Sequence, residues 1–304
     1  MQKLCFTLPS PYDELPLSCL VYAPDETPKG IVQLVHGMCE HKERYEELMA
    51  FLCEKGYVAA CHDHRGHGDS VRTQDDLGWF GDTTGEAVVN DAIFFTEYLK
   101  EKYPNIPVTL FGHSMGAMVV RCYIQKREEL IDKLVVCGSP SKNPLASIAV
   151  GLAKIIGFFK GARHRSKTLT YLSTGKGDGR FKGEGKCAWL SKNRANVEAY
   201  LQNPKCRYKF TCNGFENLFR LMANTYDKKR YEVKNPQLPI YFIAGADDPV
   251  IESEKQWLEA VEFMRAAGYQ NVSCKLYEGL RHEILQEEER GQVFDELYSF
   301  IEEE

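Results

Sequence analysis

The pentapeptide Gly112-His113-Ser114-Met115-Gly116 constrains this chain more than any other feature of its sequence. It follows a short β-like run at 108–111 (VTLF) and opens a helical pattern at 115–126. Glycines on both sides of a serine let strand and helix backbones close to contact distance. The tight, strained turn lifts the hydroxyl clear of the sheet edge. With 24 glycines in the chain, this spacing arises by chance only about 0.08 times per sequence of such composition. The junction predicts a parallel sheet with a nucleophilic serine at its rim.

The flanking pattern points the same way. Residues 17–23 (LSCLVYA), 31–36 (IVQLVH), 57–62, 134–137, 239–244 (PIYFIA) and 273–277 read as strands. IVQLVH is almost continuously apolar, as a parallel strand buried on both faces should be. Residues 44–55, 85–102, 252–267 and 291–301 repeat apolar side chains at helical spacing. Strands alternating with helices imply a parallel sheet covered on both faces.

Residues 141–235 break the alternation. They open with an apolar helical stretch. A basic, glycine-rich run follows, and its centre at 174–186 (TGKGDGRFKGEGK) reads as a flexible loop. From 187 to 226 the pattern is helical again. The glycines do not form Gly-x-Gly-x-x-Gly and no strand precedes them, which rejects a dinucleotide site. The expected division is a core of residues 1–140 and 236–304 carrying a mainly helical cap at 141–235. At 304 residues and 43 % apolar, the chain suits one large domain of this kind. The formal net charge of −5 gives no reason to expect nucleic acid. Eleven cysteines without Cys-x-x-Cys pairs, no apolar leader and no run of 18 apolar residues predict a cytoplasmic protein with reduced thiols.

A serine hydroxyl is a weak nucleophile until a histidine takes its proton and an acid orients that histidine. On a turn of this kind the acid, and then the histidine, follow the serine along the chain. Only His164 and His282 follow Ser114. His164 lies in the basic stretch of the insertion, whereas His282 lies just past the last expected strand, which assigns it as the base. Asp132 precedes a strand, and Asp178 and Asp227 lie in the insertion. Asp247 and Asp248 follow PIYFIA. Asp248 is the expected acid, three residues after Gly245 and directly before Pro249; Asp247 is then a turn carboxylate. Oxyanion donors are expected from the backbone N–H of Met115, just after the serine, and of Met38, in the turn after IVQLVH.

Residues 36–45 (HGMCEHKERY), 63–70 (DHRGHGDS) and 112–116 (GHSMG), with the late Asp248 and His282, resemble the α/β hydrolases of the monoacylglycerol lipase and lysophospholipase group. The resemblance runs the whole chain, and residues 188–211 resemble the cap of bacterial members. It implies an α/β-hydrolase fold with an inserted helical cap. It implies hydrolysis of a carboxylic ester of monoacylglycerol or lysophospholipid type, with no metal or organic cofactor. Small-ester esterases, thioesterases and peptidases share these motifs, although no Gly-Gly-Pro-Gly-like stretch near His36 points to a proline aminopeptidase. Glu40, Arg44 and Tyr45 resemble the group's Glu-His-x-x-Arg-Tyr stretch. They are candidate contacts to a polar head such as glycerol, with a structural ion pair as the competing reading. Asn193 stands where the group would place an acidic residue.

Other features carry weaker readings. His62, His64 and His67 have the spacing of a binuclear metal site, but Gly66 stands where such a site wants an acid, so a structural loop is expected. Cys39 is expected to line a pocket wall rather than to act as a reactive thiol. The apolar stretch 146–159 either roofs an acyl pocket or docks on lipid, with Lys160, Arg163, Arg165 and Lys167 facing phosphates. A non-catalytic binding protein of this fold is the remaining alternative, disfavoured because Ser114, Asp248 and His282 are all present.

Overall fold

The computed structural model describes residues 1–304 except 82, 84, 175, 176 and 304. One sheet has the strand order β1-β2-β4-β3-β5-β6-β7-β8. The strands are β1 (Gln2–Pro9), β2 (Pro16–Ala23), β3 (Gly30–Val35), β4 (Tyr57–His62), β5 (Val108–His113), β6 (Lys133–Cys137), β7 (Ile240–Gly245) and β8 (Val272–Tyr277). β2 pairs antiparallel with β1 and β4, and all later neighbours are parallel. The helices are α1 (Glu46–Glu54), α2 (Ala87–Lys102), α3 (Met115–Arg127), α4 (Ala146–Lys160), α5 (Lys167–Thr174), α6 (Gly177–Arg180), α7 (Arg194–Gln202), α8 (Cys212–Thr225), α9 (Glu254–Ala267) and α10 (Arg290–Glu302).

The sheet separates two apolar layers. Every residue of β3, β4 and β5 is buried. Alternate side chains leave a strand on opposite faces. Ile31 and Val35 join Val58, Ala60 and Leu110 beneath α2, α3, α8 and α9. Val32 and Leu34 join Ala59, Cys61 and Phe111 beneath α1 and α10. This double burial is why the sequence shows continuous apolar runs here rather than alternation. Truncating a fully buried side chain such as Leu52 to alanine would cost about 2–5 kcal/mol.

The expected core strands and helices are present, with ends shifted by at most two residues. The addition is β1. Its Leu4, Phe6 and Leu8 lean on the core, while Lys3, Cys5 and Thr7 face outward. That is the pattern of an edge strand with one wet face.

Between β6 and β7 the described residues form helices α4 to α8 and no strand. The glycine-rich stretch read as a loop is partly helical: α5 runs to Thr174 and α6 covers Gly177–Arg180, while residues 175 and 176 lie outside the described residues. Asn193 caps α7, accepting from the Asn196 N–H (3.4 Å) and donating Nδ2–H to the Gln286 carbonyl (2.9 Å). An acid could accept but not donate, so asparagine has a physical reason here. α8 is capped by the Thr211 hydroxyl (3.1 Å to Gly214 N) and buries Phe215, Leu218, Phe219 and Leu221. α4 packs against α8 but leaves Ile148, Ile155, Phe158 and Phe159 exposed, and Leu145 and α5's Tyr171 and Leu172 are exposed too.

Candidate active site

Ser114 stands between β5 and α3 with φ +56° and ψ −113°. That backbone is costly for a residue with a side chain and persists only where the surroundings enforce it. The surroundings do so here. The Ser114 N–H donates to the Cys137 carbonyl at the end of β6 (2.9 Å). Gly116 lies so close under β3 that a Cβ would strike the carbonyl oxygens of Val35 and His36. The glycine lets α3 start directly above the strand ends, which presents the Ser114 hydroxyl at the rim.

His282 Nε2 is 2.9 Å from Ser114 Oγ, and His282 Nδ1 is 2.8 Å from Asp248 Oδ2. Asp248 is fully buried and its other oxygen accepts the Val250 N–H (2.8 Å), capping the turn Pro249–Ile251. Asp247 is exposed. Gly245 brings the two loops together, since a Cβ there would strike the carbonyls of Leu280 and Arg281. With Nδ1–H donated to Asp248, the Nε2 lone pair faces the serine hydroxyl. The line can take a proton from Ser114 and return it.

Met115 is the first residue of α3, whose free N-terminal amides and dipole favour an anion. Met38 lies in the turn after β3, and a Cβ on the preceding Gly37 would come 3.1 Å from the Ser114 Cβ. The Gly37 N–H itself donates to Glu40 Oε1. Met115 is buried and Met38 partly so. Cys39, also in this turn at φ +55°, is buried with its thiol near the Tyr208 carbonyl (3.5 Å), and burial pushes its pKa upward.

Glu40, Arg44 and Tyr45 are held by one another and by the loop that carries His282. Glu40 takes the Tyr45 hydroxyl (3.0 Å), His113 Nδ1 (3.1 Å) and Arg44 Nη1 (3.0 Å). Arg44 forks onto both oxygens of Glu283 (2.6 and 2.7 Å) and donates to Asn196 Oδ1 (2.9 Å). Burial raises the Glu40 carboxyl, but His113 and Arg44 outweigh it and hold it well below the usual range. Burial depresses the His113 imidazole, but Glu40 outweighs that and raises it. His113 Nε2 also reaches the His282 carbonyl (3.1 Å). The cavity between Glu40, Tyr45, His113 and Glu283 holds about 10 Å³, room for one water rather than a glycerol.

His62, His64 and His67 are fully buried with His36, ring against ring and against Phe80, Phe95 and Phe210. Desolvation pulls them down, His62 to about 4 and His64 and His67 to about 3. Among the described residues, the one group with metal-like spacing is Glu43, Asp63 and Asp69. The Lys42 ammonium sits in it, 2.8, 2.7 and 3.1 Å from those carboxylates.

Sequence reasoning did not single out His113, Glu283 or Trp189. His113 adjoins Ser114 and Glu283 adjoins His282 in the chain, which is a usable signal. Trp189 gave none: its ring lies 5.2 Å from that of His282 only because the insertion folds back on the core.

An eight-stranded, mostly parallel sheet with a serine elbow at its centre defines an α/β hydrolase. Residues 26–289 match the family described as "Serine aminopeptidase, S33", and the chain belongs to it. It is 26 % identical to the monoglyceride lipase of Mus musculus, covering 96 % of this chain and 91 % of the mouse protein. It is 24 % identical to the monoacylglycerol lipase of Mycolicibacterium smegmatis, covering 92 % and 91 %. The solved thermostable carboxyl esterase of Bacillus coagulans, in complex with glycerol, superposes with a TM-score of 0.91 at 26 % identity, covering 99 % and 98 %. Within this family, the chain is thus similar over nearly its whole length to proteins named monoglyceride and monoacylglycerol lipases.

Proposed function

We propose that the protein is a carboxylic ester hydrolase that cleaves monoacylglycerol-type lipid esters through an acyl-enzyme on Ser114. The observation that carries the reading is the Ser114–His282–Asp248 line, at 2.9 and 2.8 Å on a strained elbow. Ser114 Oγ attacks the ester carbonyl while its proton passes to His282 Nε2. The N–H groups of Met38 and Met115 hold the oxyanion. His282 returns the proton to the departing alcohol. Water then attacks the acyl-enzyme, giving its proton to His282, and the fatty acid leaves as Ser114 regains its hydrogen. Asp248 fixes the tautomer and stabilises the imidazolium.

The insertion at 141–235 acts as the cap over this site. Relatives named monoglyceride and monoacylglycerol lipases support an acyl chain with a small polar head. The sealed Glu40–Arg44–Glu283 network supports a structural role for those residues rather than head-group contact. Phe158 (84 % exposed) and Phe159 (79 %) on α4 supply an apolar face for reversible lipid contact. Arg165 spends its guanidinium on the carbonyls of Asp75, Leu77 and Lys209, and Arg163 on Asp76. Of the four basic residues considered for lipid phosphate, Lys160 and Lys167 are therefore the better placed. No helix among the described residues is long and apolar enough to cross a membrane.

The test is kcat/KM on p-nitrophenyl esters from acetyl to palmitoyl, then on monoacylglycerol against lysophospholipid of one acyl chain, with Ser114→Ala as control. A maximum at medium or long chains with monoacylglycerol preferred supports the reading. A maximum at acetyl assigns a small-ester esterase instead. Turnover of no ester overturns it.

A further inference from the structure

Two rings flank His282. The His113 centroid lies 4.7 Å from that of His282, and the Trp189 centroid 5.2 Å, with the indole plane tilted 39°. The backbone that carries the indole is bonded to the loop of His282. Arg281 Nη1 donates to the Ala188 carbonyl (2.7 Å), His282 N–H to the Trp189 carbonyl (3.4 Å) and Glu283 N–H to the Leu190 carbonyl (2.7 Å). The buried Glu287 carboxylate then takes the Ser191 hydroxyl (2.7 Å) and the amides of Lys192 (3.0 Å), Asn193 (3.2 Å) and Arg281 (3.1 Å). Residues 188–193 and 281–287 form one hydrogen-bonded unit that carries indole and imidazole together.

When Ser114 attacks, His282 becomes an imidazolium in a buried place. The charges around it are largely matched. Asp248 faces Nδ1. His113 is paired with Glu40, Glu283 with Arg44, and Arg281 with Glu184 (2.8 Å). Arg180 of α6 donates to the carbonyls of Asp248 and Glu252. Beyond these pairs, the new charge is left with Asp248 and the Trp189 indole. An aromatic face within about 6 Å attracts a cation, and indole does so best.

We propose that Trp189 is a positioning residue for the catalytic base: its indole keeps the His282 ring in line with Ser114 and favours the imidazolium formed as the ester is attacked. This deepens the hydrolase reading and rests on it. The same imidazolium protonates the leaving alcohol, so the indole acts on both proton transfers.

The experiment is the pH dependence of kcat and kcat/KM on p-nitrophenyl butyrate for wild type, Trp189→Phe and Trp189→Leu. Losing the indole moves the acidic limb of kcat/KM to lower pH by about 0.4–1.5 units and lowers kcat about 2- to 30-fold, with KM within twofold. Phenylalanine, which keeps an aromatic face, restores most of both and serves if the leucine variant does not fold. A space-filling tryptophan predicts the opposite sign, because admitting water favours the charged ring, or no movement. Either result overturns the proposal. The rate at which diethyl p-nitrophenyl phosphate labels Ser114, read by intact mass, follows the same proton transfer without an ester substrate. Labelling without ester turnover sinks the substrate reading alone. The labelling rates then still decide on Trp189: slowing in Trp189→Leu that phenylalanine restores supports it, and equal rates overturn it. No labelling at all overturns both.

Discussion

Asp248 divides its carboxylate between two tasks: Oδ2 lies 2.8 Å from His282 Nδ1, and Oδ1 accepts the Val250 N–H at 2.8 Å. The second bond fixes the oxygen that makes the first. Asp248→Asn would present an N–H or a weaker acceptor to Nδ1 and favour the wrong tautomer. A fall in kcat of about 10³–10⁴ with little change in KM is expected. Asp247→Asn, at the exposed neighbour, should leave kcat within twofold. Steady-state kinetics on both variants checks the assignment, and equal losses would contradict it.

Arg44 joins two buried carboxylates, Glu40 and Glu283. Arg44→Met strands both, and breaking a buried pair costs about 3–5 kcal/mol. A lowered denaturation midpoint is expected, with activity lost through the displaced His282 loop. A variant of unchanged stability whose KM alone rises would instead assign Arg44 to substrate contact.

Three buried histidines with depressed imidazoles weaken the fold in acid. His62, His64 and His67 stay neutral in the folded chain down to about 4, 3 and 3, but take protons near 6.5 once unfolded. The unfolded chain therefore binds more protons below about pH 6.5, and stability falls as pH drops from there to about 3. Each contributes about 1.4 kcal/mol per pH unit where that difference is complete. The depressed carboxyls of Glu40 and Glu43 act in the same direction at lower pH. Urea unfolding at pH 7.5, 6 and 5 measures this. His67→Phe should flatten the slope, provided that the ring packs where the imidazole did; an unchanged slope would contradict the account.

α4 offers a test that leaves the chemistry alone. Phe158→Ser with Phe159→Ser should weaken sedimentation with anionic vesicles severalfold while leaving kcat/KM on p-nitrophenyl butyrate unchanged. Unaltered vesicle binding would remove the lipid-facing role.

The core of this protein is legible in sequence because its parts are local. A serine between two glycines at a strand end, and two histidines to choose between, left little freedom for Ser114 and His282. Asp248 was separable from Asp247 by its place before Pro249, and burial now separates them physically. The rest depends on contacts between distant segments. The sequence placed Glu40, Arg44 and Tyr45 near the site, but their sealing by Glu283 and Asn196 joins positions more than 150 residues apart. Trp189 reaches His282 through a hydrogen-bonded fold of the insertion that no periodicity announces. β1 is hard to read in sequence because its alternation is short and half exposed.

The most direct test is intact-mass spectrometry of the protein quenched during turnover of p-nitrophenyl decanoate, with peptide mapping. A decanoyl adduct on Ser114 that disappears with time and is absent from Ser114→Ala is expected. Ester hydrolysis that persists in Ser114→Ala, or an adduct mapped to another residue, would contradict it.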